Sequence, residues 1–408
     1  MMVSADPTRH GYRLEQCLER IVDNRGRTPP LSDAGVEMIE INALEDGRKS
    51  PNYGRVRKFV SQETYATWFR SGHPKRGDTL ISTVGAIGRV AYFNEERGCI
   101  AQNVIALRPK RDILDPEFLY YYLASADTQT RLANLNIGVA QPSLKVPHLL
   151  ALEILLHPLP VQSRIAAILS AYDELMENCR RRIRILEKIA HNLYCEWFVH
   201  FRFPGHEEVP RVDPILGNIP EGWQVKRLDS LAEIKGGKQL EKKEIHEAGE
   251  FPVFGGNGIQ GYSEKATHRG FVIAFGRVGA YCGAIHWSYG GAWLNNNSSS
   301  VVPLGYDELI LHHLLDFHFD NLRGGAAQPF ISNSALAGIE LVFPGADLAT
   351  RFCSLVKPLR LQKVNLENTV ANLRRTRDLL LPRLLSGQVS LDVSAVEDVA
   401  EPPRMALP

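Results

Sequence analysis

Three glycines form the motif in this sequence that most resembles a cofactor site. Gly256, Gly258 and Gly261 have the GxGxxG spacing of a dinucleotide-binding turn, and they follow the apolar run FPVF. Such a turn must lead into a helix whose N-terminus faces the pyrophosphate. The residues that follow, YSEKA, show no helical periodicity, so we interpret the motif as a glycine-rich turn.

No other catalytic motif stands in a suitable context. The sequence has no GxxxxGK[ST], HExxH or GxSxG. Its Pro-Pro pairs, at 29–30 and 402–403, lack the neighbours found in an Asn- or Asp-Pro-Pro-aromatic tetrad of an amino-methyltransferase. His312 and His313 are expected on a half-buried helix, with one ring facing inward. The sequence therefore predicts a protein that is not an enzyme.

Composition and charge are those of an ordinary globular protein. Of 408 residues, 44% are hydrophobic and 23% charged, and 47 Lys and Arg balance 46 Asp and Glu. This balance argues against a polybasic binder. The six cysteines have no ligand spacing, so neither a disulfide framework nor a metal site is expected. Lacking a long apolar stretch or a signal peptide, the chain is expected in the cytoplasm, without a membrane partner.

Basic and amide side chains collect in two glycine-rich regions. The first contributes Arg25, Arg27, Arg48, Lys49, Arg55, Arg57, Lys58, Lys75, Arg76 and Arg89. The second contributes Lys235, Lys238, Lys242, Lys243, Lys265, Arg269, Arg277, Asn257, Gln260 and residues 295–298. Lys and Arg contact phosphates, and Arg, Asn and Gln also read base edges. Any one of them alone is better explained as a solvated charge, so the prediction of nucleic-acid binding depends on the clustering.

The two regions belong to an internal repeat. GVAQPSL at 138–144 matches GAAQPFI at 325–331 with an offset of 187, and TVGAIG at 83–88 matches RVGAYC at 277–282 with an offset of 194. YRLEQCLERI and VKRLDSLAEI match loosely at an offset near 214. The shrinking offsets indicate two copies that share an order of elements and differ by loop insertions.

Each copy ends in a long amphipathic helix. Its predicted apolar seam in the first copy is Ile168, Tyr172, Leu175, Cys179, Ile183, Leu186, Ala190, Leu193 and Trp197. The offset of 187 gives Leu355, Leu359, Gln362, Leu366, Val370, Leu373, Arg377, Leu380 and Leu384. A helix of this kind, about 60 Å long for about 40 residues, must bury its stripe. We expect the two helices to pack antiparallel; the alternative is that each packs on its preceding domain.

These motifs, in this doubled order, resemble the specificity subunit of type I restriction–modification systems. The resemblance covers about residues 10–390. Two positions depart from the family pattern: Val161 replaces the usual Glu before Gln162, and PGADLATRF at 344–352 lacks the Gln. The segments that carry the resemblance are GVAQPSL, GAAQPFI, LPLPVQSRIAAIL, IPEGWQVKRLDSLAEIKGGK (219–238), PVFGGNGIQGY (252–262) and LRRTRDLLLPRLLSGQV (373–389).

The resemblance implies an α+β fold. It consists of two mixed α/β target-recognition domains separated by two long antiparallel helices, a pseudo-two-fold internal repeat. The expected boundaries are 1–159 and 204–345 for the recognition domains (the second including a linker, 204–220), 160–203 and 346–390 for the spacer helices, and 391–408 for a disordered tail.

The resemblance also implies partners. In this family each domain reads one half of a split double-stranded DNA target, with half-sites about one helical turn apart. The helices fix the unread spacer and present surfaces to two methyltransferase subunits, through which restriction or translocase subunits join. S-adenosylmethionine, ATP and Mg²⁺ are then expected on those partners, and this chain is expected to hold no cofactor and to catalyse nothing.

The residues that we expect to contact DNA follow the matching motifs. In the first copy they are Arg25, Arg27, Lys49, Arg55, Thr83, Arg89 and Gln141. In the second copy they are Lys235, Lys238, Asn257, Gln260, Arg277, Tyr281, Asn296 and Gln328. For the two Gln-Pro pairs, capping of a turn is an equally good interpretation.

Two other functions fit parts of the sequence. A doubled scaffold that organises other proteins would use the helices without DNA, and would show no sequence-selective binding. A specificity protein of a related phage-defence methyltransferase would differ only in lacking a restriction motor. The target bases cannot be inferred, because recognition loops follow no one-residue-per-base code.

Overall fold

The chain folds into two units that each contain an α/β domain and parts of both long helices. In the computed structural model, unit 1 comprises residues 1–180 and 367–408, and unit 2 comprises residues 181–366. The structure describes residues 10–136, 142–212, 218–325, 328–389 and 391. Except for Leu391, the tail predicted to be disordered lies outside the described residues.

Unit 1 contains nine strands among its described residues: β1 His10–Arg13, β2 Leu18–Val22, β3 Val36–Ile39, β4 Phe59–Val60, β5 Thr79–Ser82, β6 Val90–Tyr92, β7 Cys99–Ile100, β8 Val104–Pro109 and β9 Glu153–Leu156. Its helices are α1 Gln62–Thr67, α2 Pro116–Ala124, α3 Ala126–Asn134, α4 Val146–Leu150 and α5 Leu159–Tyr194, which continues into unit 2. The strands form a four-stranded sheet of order β2-β8-β5-β6, a three-stranded sheet of order β4-β3-β7, and the pair β1-β9.

Unit 2 contains eleven strands among its described residues: β10 Arg211–Val212, β11 Ile219–Pro220, β12 Gln224–Arg227, β13 Ala232–Gly236, β14 Phe251–Gly255, β15 Gly258–Ser263, β16 Val272–Gly276, β17 Ile285–Ser288, β18 Trp293–Leu294, β19 Ser298–Pro303 and β20 Glu340–Phe343. Its helices are α6 Asp307–Asp316, α7 Asn333–Ala337 and α8 Ala346–Leu385, whose last part belongs to unit 1. The sheets have the orders β13-β19-β16-β17 and β15-β14-β18, with the pairs β12-β20 and, within the predicted linker, β10-β11.

The two strand orders confirm the internal repeat. Each unit has a four-stranded antiparallel sheet, a three-stranded sheet with one parallel pair (β3-β7 or β14-β18), and a two-stranded pair ahead of the long helix. In unit 1 the connection between β3 and β4 is longer than that between β14 and β15, α1 lies between β4 and β5, and α3 stands where unit 2 has only a 3₁₀ turn at Phe319–Leu322. The insertions predicted from the offsets are therefore the β3–β4 connection and these two helices.

The central strands are apolar runs that the sheets bury completely. All four residues of β5 and all five of β16 are buried, as expected for strands covered on both faces. In unit 1, α2 then begins with Pro116 after Asp115, whose carboxylate accepts hydrogen bonds from the amides of Glu117 and Phe118, a favourable helix start.

The long helices are antiparallel inside each unit, as predicted. In unit 1, His157 lies 3.0 Å from the Leu385 carbonyl oxygen, and Asp173 pairs with Arg377. In unit 2, Lys363 Nζ lies 2.5 Å from Glu187 Oε1, and the rings of Tyr194 and Phe352 are in contact. In both units, contacts advance along one helix as they retreat along the other.

The predicted apolar seam is wrong in the first half of each helix. Leu175 is 55% exposed and Leu355 is 47% exposed, while the side chains buried nearby are Ile165, Leu169 and Met176 in α5 and Phe352 and Val356 in α8. There the helix packs on its own α/β domain, since Ile165 and Leu169 share a core with Phe118. Both predicted packing arrangements thus occur, and the mismatched Gln362 occupies an exposed position.

Polar side chains of the helices are buried at two places where the sequence analysis did not expect it. Arg377, the second mismatch in the seam, is buried and pairs with Asp173, which also accepts a hydrogen bond of 2.5 Å from Tyr121. Helix α6 is buried from Glu308 to Leu314, so both His312 and His313 face inward rather than one.

Candidate nucleic-acid interface

In unit 2, three chain segments meet beside the end of β16. The Arg277 amide donates to the Asn297 carbonyl at 3.1 Å, and the Gly279 amide donates to the Pro329 carbonyl at 2.9 Å. The Ile331 amide donates to the Arg277 carbonyl at 3.0 Å. These bonds place three segments side by side, namely the RVGA loop (277–280), the asparagine run (295–297) and the Gln-Pro motif (328–329).

Unit 1 repeats this junction bond for bond. The Thr83 amide donates to the Asn103 carbonyl at 2.8 Å, the Gly85 amide to the Pro142 carbonyl at 2.9 Å, and the Leu144 amide to the Thr83 carbonyl at 2.8 Å. Offsets of 194 and 187 relate every partner to its counterpart in unit 2. The two motifs that revealed the repeat in the sequence are therefore the two halves of one structural junction.

An amide cluster borders the junction in unit 2. Asn295 Nδ2 donates to Gln260 Oε1 at 2.6 Å, and Asn295 Oδ1 accepts from the Asn297 amide at 2.9 Å. Asn257 is exposed in the tight turn between β14 and β15. A side chain at Gly255 would displace the side chain of Gln260. The GxGxxG motif forms the turn and second strand of a β-hairpin, which agrees with the glycine-rich turn interpreted from the sequence.

Arg277 is held at the centre of this surface. Its guanidinium lies 5.1 Å from the ring centroid of Phe330, the stacked geometry of a cation–π contact. A Cβ at Gly236 would lie 3.3 Å from Arg277 Nη1. Within the described residues no carboxylate pairs with it, and its buried Nε has no hydrogen-bond partner. The guanidinium is therefore oriented without being neutralised.

The other predicted residues of unit 2 lie near this point with differing freedom. Asn296 and Gln328 are exposed, and a Cβ at Gly279 would lie 3.4 Å from Gln328 Nε2. Tyr281 is 54% exposed in the 3₁₀ turn that follows the junction loop. Lys238 is exposed next to Asn295, its amide donating to the Leu294 carbonyl, whereas Lys235 pairs with Glu233 at 2.5 Å.

In unit 1 the predicted cations are more dispersed. Arg27 is exposed in the loop after β2, and Arg25 in the same loop is held by Asp23, with N–O distances of 2.8 and 2.6 Å. This pairing holds the pKa of the Asp23 carboxyl below its usual value. Arg55 pairs with Glu45 at 3.0 Å and remains exposed.

Two predicted residues of unit 1 lie inside the domain. Lys49 Nζ pairs with Glu117 and donates to Ser170, each at 2.8 Å, and its side chain is only 14% exposed. Thr83 is fully buried, and its hydroxyl donates to the Asn103 carbonyl at 3.5 Å, so this hydroxyl belongs to the interior of the junction. Arg89 is half-buried beside the junction loop. Gln141 lies outside the described residues.

The sequence reasoning missed three residues that the structure places on the same surface of unit 1. Gln102 Nε2 donates to Thr28 Oγ1 at 2.7 Å and is the counterpart of Asn296 by the offset of 194. The offset of 194 could therefore have predicted Gln102 from the sequence. Trp68 and Arg70, which follow α1, line a depression together with Arg25 and Arg27. Because α1 belongs to an insertion, the repeat gave no signal for them.

Two searches of the described part of the chain were negative. No group of three or more His, Cys, Asp or Glu side chains is arranged to hold a metal ion. Among the described helices, none has the length and apolar content needed to span a membrane.

These features define a duplicated α+β protein in which two units carry the same loop junction, one of them bordered by an oriented guanidinium and amide side chains. A profile of the type I restriction modification DNA specificity domain matches residues 72–188 and again residues 220–347. Because these matches cover more than half of the chain, it belongs to this family, and its function is DNA sequence specificity in type I restriction–modification.

Individual proteins agree with this assignment. The MjaIX type I specificity subunit of Methanocaldococcus jannaschii is 26% identical over 341 residues, 78% of either chain. The EcoprrI specificity subunit of Escherichia coli is 24% identical over 292 residues, 66% of this chain and 67% of that protein. The crystal structure of a type I restriction–modification S subunit from M. genitalium matches with a TM-score of 0.59 at 19% identity, covering 94% of this chain and 98% of that one.

Proposed function

We propose that the chain reads a split DNA target with its two loop junctions, one half-site per unit. The observation that carries the proposal is the identical backbone junction in both units, because it presents different side chains on one scaffold. Arginine and amide side chains read base edges in pairs of hydrogen bonds. The reading surface of unit 2 consists of Lys238, Asn257, Gln260, Arg277, Tyr281, Asn296 and Gln328.

In unit 1 the proposed contacts differ from those predicted. Arg25, Arg27, Arg55 and Arg89 are retained, and Gln102 joins them. Lys49 and Thr83 are left out because the interior of the domain occupies both side chains. Gln141 stays a prediction.

Catalysis belongs to partner subunits in this proposal. Two methyltransferase subunits supply S-adenosylmethionine chemistry, and restriction or translocase subunits supply ATP- and Mg²⁺-dependent cleavage. Residues 1–159 and 204–345 serve as the recognition domains, and residues 160–203 and 346–390 as spacer helices that hold the partners. Since its ligand is DNA, we expect the complex to act in the cytoplasm.

The deciding experiment is modified-base sequencing of DNA from cells that express the chain with the methyltransferase encoded beside it. We expect adenine methylation at one split motif, present only when the chain is present. Cells with the methyltransferase alone provide the control. Methylation that is absent, or the same without the chain, would contradict the proposal and favour a protein scaffold.

A further inference from the structure

Unit 1 has a basic depression on its surface. It has a volume of about 420 Å³ and lies between the loop after β2 and the segment after α1. Three guanidinium groups and one exposed indole contribute to it. The lining residues are Asn24, Arg25, Arg27, Thr67, Trp68 and Arg70.

Hydrogen bonds fix the two walls of this depression to each other. Arg70 Nη2 donates to the Arg25 carbonyl at 2.8 Å, and Asn24 Nδ2 donates to the Gly72 carbonyl at 2.8 Å. The Ser71 amide donates to Asn24 Oδ1 at 2.9 Å. The neighbouring Phe69 is buried in a small core, so the exposed Trp68 is held on a rigid support.

The charge of the depression is positive. Asp23 neutralises Arg25, but in the described part of the chain Arg27 and Arg70 have no ion-pair partner. Trp68 is 38% exposed beside them. Unpaired guanidinium groups next to a flat apolar ring suit a ligand that carries negative charge and an apolar face.

The depression shares a loop with the junction of unit 1. Thr28, in the same loop as Arg25 and Arg27, accepts the hydrogen bond from Gln102, next to the junction residue Asn103. Any DNA that lies on the junction therefore passes close to this loop.

We infer that the depression binds the sugar–phosphate backbone of DNA beside the first half-site, with Arg27 and Arg70 on phosphates and Trp68 against a deoxyribose. This inference rests on the proposed function. On this inference, the inserted segment that contains α1 contributes affinity for DNA of any sequence, because phosphate contacts position a protein without reading bases.

The test measures binding of the complete chain–methyltransferase complex to a duplex carrying the established motif, and to the same duplex with both half-sites scrambled, over a range of salt concentrations. Arg27→Gln and Arg70→Gln should each weaken binding to both duplexes by the same factor, roughly three- to tenfold. Each should also lower the slope of log K against log salt by about 1. Trp68→Ala should weaken both without changing the slope, since the indole carries no charge.

Arg111→Gln is the matched control. Arg111 is exposed and follows β8, whose opposite end, at Val104, adjoins the junction, so this variant should keep the affinity and the slope of the wild type. Arg27 makes no hydrogen bond within the described residues, so its variant tests the inference without disturbing the loop.

Three results would overturn the inference. Variants with the affinity and slope of Arg111→Gln would show that the depression does not contact DNA. A changed methylation motif in Arg27→Gln or Arg70→Gln would make these residues base readers. A wild-type complex that binds both duplexes equally would instead refute the proposed function itself, and the inference with it.

Discussion

At the scale of the residue, Arg277 shows how a base-reading side chain differs from an ordinary surface cation. Lys235 and Lys243 each have a carboxylate partner, whereas Arg277 is stacked on Phe330 without one in the described part of the chain. A stacked guanidinium has little rotamer freedom left to lose on binding, and its fork of donors matches the acceptors of guanine.

Replacing Arg277 should therefore relax one half of the target and leave the other half unchanged. For Arg277→Ala we expect a loss of about 1–3 kcal/mol on the correct half-site, measured by binding to single-base variants of the target. Arg277→Lys should not restore it, because an ammonium lacks the bidentate fork.

Arg269→Ala is the control for this substitution. Its guanidinium also stacks on a phenylalanine of unit 2, 5.2 Å from the Phe251 ring centroid, but it is not part of the junction. It should leave the target unchanged. Equal weakening of Arg277→Ala on all DNA sequences would make Arg277 a phosphate contact instead.

At the scale of the element, a buried ion pair joins the long helices of unit 1. Arg377→Ala would leave Asp173 buried without a cation, accepting only from Tyr121. We expect the free energy of unfolding of unit 1 to fall by about 3–5 kcal/mol. Hydrogen exchange of α8 measures this, with the exposed neighbour Arg375→Ala as the control. Equal protection in both variants would contradict it.

In unit 2 a buried contact between α8 and α6 keeps a histidine neutral. Arg360 Nη2 donates to His312 Nε2 at 2.9 Å, so that nitrogen is an acceptor and cannot carry a proton. Burial and the Arg360 charge lower the pKa of His312 to about 2. Burial likewise lowers the pKa of His313, which is hydrogen-bonded to Tyr194 at 3.0 Å, to about 4.

Unit 2 should consequently lose stability in weak acid. In the unfolded chain both histidines bind protons near pH 6.5, whereas the folded unit keeps them neutral. Unit 2 therefore has its full stability above that pH and loses stability as the pH falls toward 4. At pH 5 the histidines contribute a loss of about 2 kcal/mol each, which Glu308 of the same helix partly offsets, because burial raises the pKa of its carboxyl and protonation then favours the folded state. Hydrogen exchange of α6 between pH 7 and pH 5, with its intrinsic pH dependence removed, should report it.

A pair of variants checks that these histidines are the cause. His312→Gln keeps an acceptor for Arg360 and should remove about half of the histidine-dependent loss of stability between pH 7 and pH 5, because His313 remains. His318→Gln replaces an exposed histidine of the same unit and should not. If both variants follow the wild-type curve, other groups cause the acid sensitivity.

These elements also show what the sequence could predict. The doubled order, the hairpin at the GxGxxG motif and the two helices follow from local patterns. The predicted seam was wrong near Leu175. Which side chains are buried there depends on contacts with the α/β domain, and the periodicity of one helix carries no information about those contacts. Lys49 looked like a surface cation, since its partners Glu117 and Ser170 lie 68 and 121 residues away. Long-range pairing of this kind leaves no local signal.

At the scale of the whole molecule, the repeat separates the scaffold from specificity. The junction bonds are made by backbone groups in both units, so side chains around them can change without loss of the fold. Thr83 and Arg277 illustrate this, because they occupy equivalent positions, and Thr83 is fully buried whereas Arg277 is half-buried and stacked on Phe330. The two half-sites are then expected to differ in sequence.

The net charge of the whole chain limits how tightly it can hold DNA by itself. With 47 basic and 46 acidic residues, it can neutralise few phosphates, and counterion release is the main source of affinity that does not depend on sequence.

We predict that the chain alone binds its target weakly and with a shallow salt dependence. Adding the methyltransferase should raise the affinity at least about tenfold and steepen the slope by several units, if the partner supplies the missing phosphate contacts. Fluorescence anisotropy at several salt concentrations, with and without the partner, measures both quantities. The same slope in the two cases would mean that this chain makes all the phosphate contacts from local basic surfaces, of which the loop of Arg27 and Arg70 would then be the first to examine.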